Sequence, residues 1–276
     1  MTAADSQARF QFGENWTAFL QRVNPQRIDS TCQWLQTMLG NSDLTTKTFL
    51  DVGCGSGLTS LAASRLNAVV YSFDFDAQCV ACAKELKRRF ASDADDWTIE
   101  QGSVLDEAYM KSLGTHDIVC SWGVLHHTGR MDDAIQAVIK RVKPGGLLFI
   151  AIYHDQGPAS RRWSIIKQTY HRLPTFARPA FVASIATYYE TKFAAVRLAK
   201  QQNPFPFAEW KRKANDRGMS VWHDWVDWVG GWPFEVATPK AIVDPMQAQG
   251  FKLIHLTTVG TGWGCNQYVF QSPHAP

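Results

Sequence analysis

Apolar residues along this chain follow two rhythms. Short apolar runs near 46–52, 68–74, 97–101, 117–121, 146–153, 251–257 and 267–271 predict seven strands. Between them apolar residues recur every three or four positions, predicting helices after Gly57, Asp76, Met131 and Pro239. Strand and helix in alternation predict an α/β protein, a parallel sheet with helices on both faces. Ile135, Val138, Ile139 and Val142 form one helical stripe, which Lys143-Pro144-Gly145-Gly146 stops and turns into the next strand. The Pro239 segment has Thr238 as N-cap and Gly250 as C-terminal cap. Pro245 inside it predicts a kink or early break, because its ring removes a hydrogen bond at a cost of about 3 kcal/mol.

Two stretches fall outside the alternation. Residues 1–45 hold two amphipathic segments, around 16–23 and 28–39, and residues 155–235 form a long insertion with helical pattern over 164–171 and 181–200. The expected organisation is an N-terminal helical cap (1–46), a cofactor-binding core (47–154), a helical lid (155–235) and completion of the core by the last helix and two strands (236–276). The net charge of +3 decides nothing, but residues 155–217 carry twelve Lys/Arg against four Asp/Glu. That excess suits a solvated helical face, or a surface for RNA or an anionic membrane. Nucleic acid is not the partner we expect, whereas peripheral membrane contact stays open. No apolar run of about 18 residues predicts a membrane span, and MTAADSQARF lacks a secretory layout, so a cytoplasmic enzyme is expected. The six cysteines have no framework spacing and read as reduced thiols. Cys79 and Cys82 form a CxxC, but Val80, Ala83, Leu86 and Phe90 give that segment a helical apolar face, and packing is its expected role.

Candidate chemistry begins after the first strand, at Leu50-Asp51-Val52-Gly53-Cys54-Gly55-Ser56-Gly57-Leu58. Alternating glycines let the backbone turn sharply into a helix and approach a ligand closely, while the helix start attracts an anion. The next strand ends at Asp74, where a carboxylate accepts ribose hydroxyls at the switch point of such a sheet. The dinucleotide fingerprint is G-x-G-x-x-G, and this loop departs from it. Asp51 would repel a pyrophosphate but hold an ammonium. A ligand with an amine, a carboxylate and a ribose fits, as S-adenosylmethionine does and NAD does poorly.

These residues resemble the class I S-adenosylmethionine-dependent methyltransferases. LDVGCGSG is similar to their first motif, YSFDFD to their ribose-binding strand end, QGSVLD to their adenine-side strand end, and HDIVCSWGVLHH with RVKPGGLLFIAIY to their fourth and fifth strands. The resemblance spans about 47–154 and, weakly, 236–272. It implies a doubly wound, Rossmann-like seven-stranded sheet whose last strand is antiparallel, with S-adenosylmethionine as cofactor. It further implies that Asp51, Gly53, Gly55 and Gly57 face the methionine moiety, that Asp74 and the following Phe75 lie at the ribose, that Ser103 and Val104 flank adenine, and that Ser121 and Trp122 lie beside the sulfonium. Many relatives have aspartate where Ser103 stands.

Ligands of such a sheet bind beyond the carboxyl ends of its strands. The loop containing His126 and His127, the insertion, and 260–266 all leave from that edge. Residues 223–235, HDWVDWVGGWPFE, combine tryptophans with carboxylates and are expected to close over the cofactor. The alternative is that Trp225, Trp228 and Trp232 are the core of a helical subdomain. His126 or His127 is the candidate general base, with structural histidines as the alternative. Asp224, Asp227 and Glu235 are candidates to orient the acceptor, Tyr153, His154 and Asn266 to rim it, and Trp16 to help cover the cofactor. Cys265 reads as a small hydrophobe, and no spacing suggests a metal site. The expected activity is methylation of O or N on a small molecule. Aminocarboxypropyl transfer, cofactor cyclisation, membrane-associated quinone methylation, RNA engagement and a non-catalytic sensing role are the competing readings.

Overall fold

A computed structural model describes residues 20, 23–40, 43–205, 210 and 221–274. Trp16 and the first amphipathic segment up to 19 therefore lie outside the described residues. The described residues form two compact units, one within Gly157–Trp232 and the other within 20–156 and 233–274.

The larger unit is built on one sheet. Its strands are β1 (Thr48–Val52), β2 (Val69–Asp74), β3 (Trp97–Gln101), β4 (His116–Trp122), β5 (Val142–Tyr153), β6 (Lys252–Thr257) and β7 (Cys265–Gln271). They run in the order β3-β2-β1-β4-β5-β7-β6, and β7 is antiparallel to both of its neighbours. The topological switch point thus falls between β1 and β4, whose partners are Phe49 with Ile118 through Asp51 with Cys120.

Side chains alternate across each strand, and both faces are apolar because both are covered by helices. Phe49, Val70, Cys120 and Phe149 pack on one face with Ile28, Leu35, Leu61, Ala83 and Leu86. Leu50, Val119, Leu148 and Ile150 pack on the other with Ile135, Val138, Ile242 and Met246. The first layer comes from α1 (Pro25–Leu39), α2 (Leu58–Arg65) and α3 (Ala77–Phe90), with α4 (Glu107–Ser112) following β3. Asn24 caps α1 by accepting from the Arg27 N–H, and Asp76 caps α3 by accepting from the Gln78 N–H. Cys79 and Cys82 form no disulfide and are buried on the packed face of α3.

Two sequence expectations need correction. Helix α5 (Met131–Ile139) stops before Val142, which instead opens β5 opposite His116, so β5 begins four residues before the predicted strand. A register shift between His116 and Ile118 absorbs the glycine turn there. Numbering past the smaller unit's helices, α9 (Pro239–Ala248) continues through Pro245 without breaking. Its ends hold it: Thr238 accepts from the Ala241 N–H, and Gly250, at φ +84°, lets the Phe251 N–H reach the Met246 carbonyl at 3.0 Å. Buried Phe251, Ile242 and Met246 then anchor the helix to the core.

The smaller unit contains α6 (Pro158–Arg172), α7 (Arg178–Ala199) and α8 (Val221–Gly230). Its interior is aromatic. Trp163 stacks on Tyr189 at 5.0 Å and meets Trp228 edge-on at 5.6 Å, while Tyr189 stacks on Trp225 at 6.1 Å. Trp225 and Trp228, both half-buried, thus pack against the helices of the smaller unit.

Candidate functional site

The glycine loop joins β1 to α2 at the carboxyl edge of the sheet. Gly53 has φ +77°, and a Cβ there would lie 2.4 Å from Val124; Gly57, at φ +82°, would place one 2.8 Å from the Ala83 Cβ. Only glycine satisfies both the backbone angle and the close approach. The N–H groups of Gly53 and Cys54 both bond to the Phe73 carbonyl, and that of Gly55 donates to Asp74 Oδ2 at 2.9 Å. These amides thus bind the protein's own oxygens rather than forming a diphosphate cradle.

Asp74, at the end of β2, accepts from Gly55 on Oδ2 and from the Asp76 N–H on Oδ1, each at 2.9 Å. Burial raises the Asp74 pKa, and the backbone N–H groups of Asp76, Gly55 and Phe75 oppose the rise. Asp51 is almost wholly buried and accepts from Ser60 Oγ at 2.5 Å. Burial pushes its carboxyl up to about 7, with Ser60 holding it down and the charge of Asp74 adding to the rise. Two carboxylates beside the loop disfavour a polyphosphate and favour a ligand carrying a cation and a ribose.

The adenine-side candidates sit after β3. The Ser103 hydroxyl accepts from the Leu105 N–H at 3.2 Å in a local turn, and Val104 is buried. Phe75 is half exposed at the tip of β2. Ser121 is buried and donates to the Val52 carbonyl at 2.9 Å, tying β4 to β1 beneath the loop. Trp122, the last residue of β4, is 43% exposed and has Trp34 of α1 edge-on at 6.3 Å. Sequence reasoning missed Trp34, because its place beside Trp122 depends on how α1 crosses the sheet.

A second cluster gathers at the ends of β4 and β5. His126 and His127 occupy a short 3-10 turn; the His126 ring lies 4.0 Å from that of Tyr153 and 4.5 Å from that of His127. His126 is fully buried, whereas His127 is partly exposed and its Nδ1 lies 2.6 Å from the Pro233 carbonyl oxygen. A carbonyl only accepts, so Nδ1 carries the hydrogen and the neutral ring keeps its lone pair on Nε2. Phe234 completes the cluster 5.5 Å from Tyr153. Glu235 accepts from the Met131 N–H at 3.1 Å, placing a carboxylate at the positive end of α5. Asn266 is buried, accepting from the Val259 N–H and bonding through its amide nitrogen to His154 Nδ1 at 3.0 Å. Cys265 opens β7 opposite Tyr153.

Asp224 and Asp227 lie on α8 in the smaller unit. Asp227 acts there on Lys167, a fully buried lysine of α6 that donates to the Trp228 carbonyl and lies 5.4 Å from the Trp228 ring. No group of metal-ligating side chains is found among the described residues.

Comparison with known proteins bears on this geometry. A family profile described as "Methyltransferase domain" matches residues 23–256, most of the chain. The chain belongs to this methyltransferase family. It is a transferase, and its cofactor is S-adenosylmethionine. The chain is 27% identical over 188 residues to a ubiquinone biosynthesis O-methyltransferase of Paraburkholderia xenovorans, covering 64% of this chain and 75% of that protein. It is 28% identical over 174 residues to an enzyme of the same name from Xanthomonas oryzae pv. oryzae, covering 60% and 68%. Among solved structures, magnesium protoporphyrin IX methyltransferase of Synechocystis with bound S-adenosylhomocysteine superposes with a TM-score of 0.51 at 13% identity, covering 98% of this chain and 91% of that one. An O-methyltransferase family protein of Burkholderia thailandensis gives 0.52 at 12% identity, covering 83% and 52%. At these identities the structures show the shared fold. The seven-stranded order and antiparallel last strand agree with it.

Proposed function

We propose that this methyltransferase methylates a hydroxyl oxygen, or in second place an amine nitrogen, of a small molecule held at the carboxyl ends of β1 and β4. The observation that carries the reading is His127, whose Nδ1 is fixed on the Pro233 carbonyl so that Nε2 is its basic atom. The names of the relatives favour oxygen.

When bound, S-adenosylmethionine supplies a methyl carbon already activated by its sulfonium. The protein's part is to hold, orient and dry the site. Asp74 accepts the ribose hydroxyls while its bonds to the Gly55 and Asp76 N–H groups fix the loop. Asp51 receives the ammonium. Trp34 and Trp122 present aromatic surface beside the end of β4, excluding water and favouring positive charge. His127 Nε2 removes the proton from the acceptor hydroxyl, the step an oxygen acceptor needs and a thioether does not. Tyr153 steadies that imidazole edge-on, with ring centroids 5.4 Å apart.

The test is turnover of a panel of phenols, carboxylates and amines with S-adenosylmethionine. His127→Gln should lower kcat by about a hundredfold and leave cofactor affinity within about twofold, as expected for loss of a general base. A variant with unchanged kcat and pH profile would remove His127 from the mechanism.

A second reading has a specific observation in its favour, and it concerns where the acceptor is met. Glu190 is the single carboxylate of α7, and it accepts from the indoles of Trp210 and Trp225 at 3.3 Å. In the same unit Phe176 is 85% exposed, and Leu198, Tyr188 and Phe205 are also exposed, in a segment rich in basic residues. Exposed apolar side chains beside excess positive charge suit an anionic lipid surface carrying a hydrophobic acceptor. Salt-sensitive sedimentation with phosphatidylserine vesicles, lost in Phe176→Glu with Leu198→Glu, would support it; equal recovery in the supernatant with and without vesicles would reject it.

A further inference from the structure

Beneath the glycine loop runs a chain of hydrogen bonds that ends on Asp51. Trp97 Nε1 donates to Ser72 Oγ at 2.8 Å, Ser72 Oγ to Ser60 Oγ at 2.7 Å, and Ser60 Oγ to Asp51 Oδ2 at 2.5 Å. All four residues are buried. The sheet register builds the chain, because Ser72 is the β2 partner of Asp51 and Trp97 the β3 partner of Val70.

The chain has one direction. An indole N–H only donates, so Ser72 must receive it and pass its single hydroxyl hydrogen to Ser60, which passes its own to Asp51. Three donors thus point the same way and terminate on a carboxylate, and charge-assisted bonds of this kind are the strong ones. We propose that Ser60, Ser72 and Trp97 are positioning residues that keep Asp51 ionised and aimed, through Oδ1, at the ammonium of the cofactor's amino acid moiety. The inference rests on the S-adenosylmethionine reading of the loop and adds how this chain makes the contact.

The surroundings explain the need. Among the described residues no cation acts on Asp51. Its titratable neighbours are Asp74, whose charge opposes its ionisation, and the buried thiols of Cys54 and Cys120. Left in that setting the carboxyl would hold its proton near neutral pH, and a neutral acid attracts an ammonium weakly. Hydrogen bonds to the charged form shift the balance back.

Calorimetric titration with S-adenosylhomocysteine and with 5′-methylthioadenosine, which lacks the amino acid moiety, tests this between pH 6 and 9. Wild-type affinity for S-adenosylhomocysteine should rise with pH through neutrality on its acid limb. Ser60→Ala should weaken it about tenfold at pH 7 and move the acid limb up by about one unit, as for loss of a bond to a charged group. Ser60→Thr should restore both. Ser72→Ala and Trp97→Phe should give the same shift in smaller measure, and they carry the test should Ser60→Ala fail to fold. Methylthioadenosine binding should not change among the variants. Equal losses for both ligands, or an acid limb that stays in place, would overturn the proposal and leave the relay a structural feature. Wild-type protein that binds neither ligand at any pH would overturn the cofactor reading itself, and the inference with it.

Discussion

Asp74 ties the glycine loop through the Gly55 N–H and is the carboxylate proposed for the ribose hydroxyls. Removing it should cost both, so Asp74→Ala should reduce S-adenosylhomocysteine affinity by about a hundredfold or more, measured by calorimetry. Unchanged affinity would remove Asp74 from the cofactor site. Gly53→Ala should lower stability by about 2 kcal/mol, since it adds a positive-φ strain to a clash with Val124. Adding Val124→Ala should recover only the clash, and full recovery in denaturant titration would show that backbone strain is negligible there. At this scale the sequence was most legible where one residue type answers one backbone demand, as the alternating glycines do. Ser60, Ser72 and Trp97 were not legible, because each looks like an ordinary core position of its own element. Only the register of three strands and the first turns of α2 brings them to Asp51.

Pro245 shows how an element overrides a local signal. The sequence predicted a kink or an early break, and α9 does not break, because its caps and its buried face outweigh one missing bond. Pro245→Ala should therefore stabilise the protein by about 1 kcal/mol, the regained bond less the entropy returned to the unfolded chain; a fall in thermal midpoint would contradict this. Val142 carried the opposite lesson: it fitted the helical period, but pairing with His116 claimed it for β5. At the far end of the strands, Asp117 accepts from Lys143 Nζ at 2.8 Å and from the N–H and hydroxyl of Thr48. Burial opposes ionisation there, but these partners together hold the carboxyl well below its usual range. A depressed carboxylate stabilises above its unfolded pKa, and that stability is lost as pH falls toward the folded value. Asp117→Asn should accordingly destabilise at pH 7 and flatten the loss of stability below about pH 4, where the unfolded carboxyl titrates. A variant whose acid limb matches the wild type would show the tie to be inert.

At the largest scale the α/β class, the seven strands and the cofactor were readable, because βα alternation indicates the class and the motifs' resemblance implies the antiparallel last strand and S-adenosylmethionine. The tryptophan-rich segment was ambiguous, since aromatics at helical spacing serve a core and a lid alike. Within the smaller unit Trp225 and Trp228 pack on Tyr189 and Trp163, around Lys167. Burial pushes Lys167 down to about 7, with Asp227 opposing. The unfolded lysine still holds its proton up to about 10.5, so stability should rise with pH between those values and carry the full cost below the lower one. Lys167→Met should remove that slope in denaturant midpoints taken at pH 6.5 and 9; a slope equal to the wild type would place the titration elsewhere. No helix among the described residues is long and apolar enough to cross a membrane.

The most direct measurement of methyl transfer to a small acceptor is mass spectrometry of both products after turnover with S-adenosylmethionine labelled in its methyl group. The label should appear on the acceptor, with S-adenosylhomocysteine formed in equal amount. Labelled methylthioadenosine, with no label on any acceptor, would contradict it.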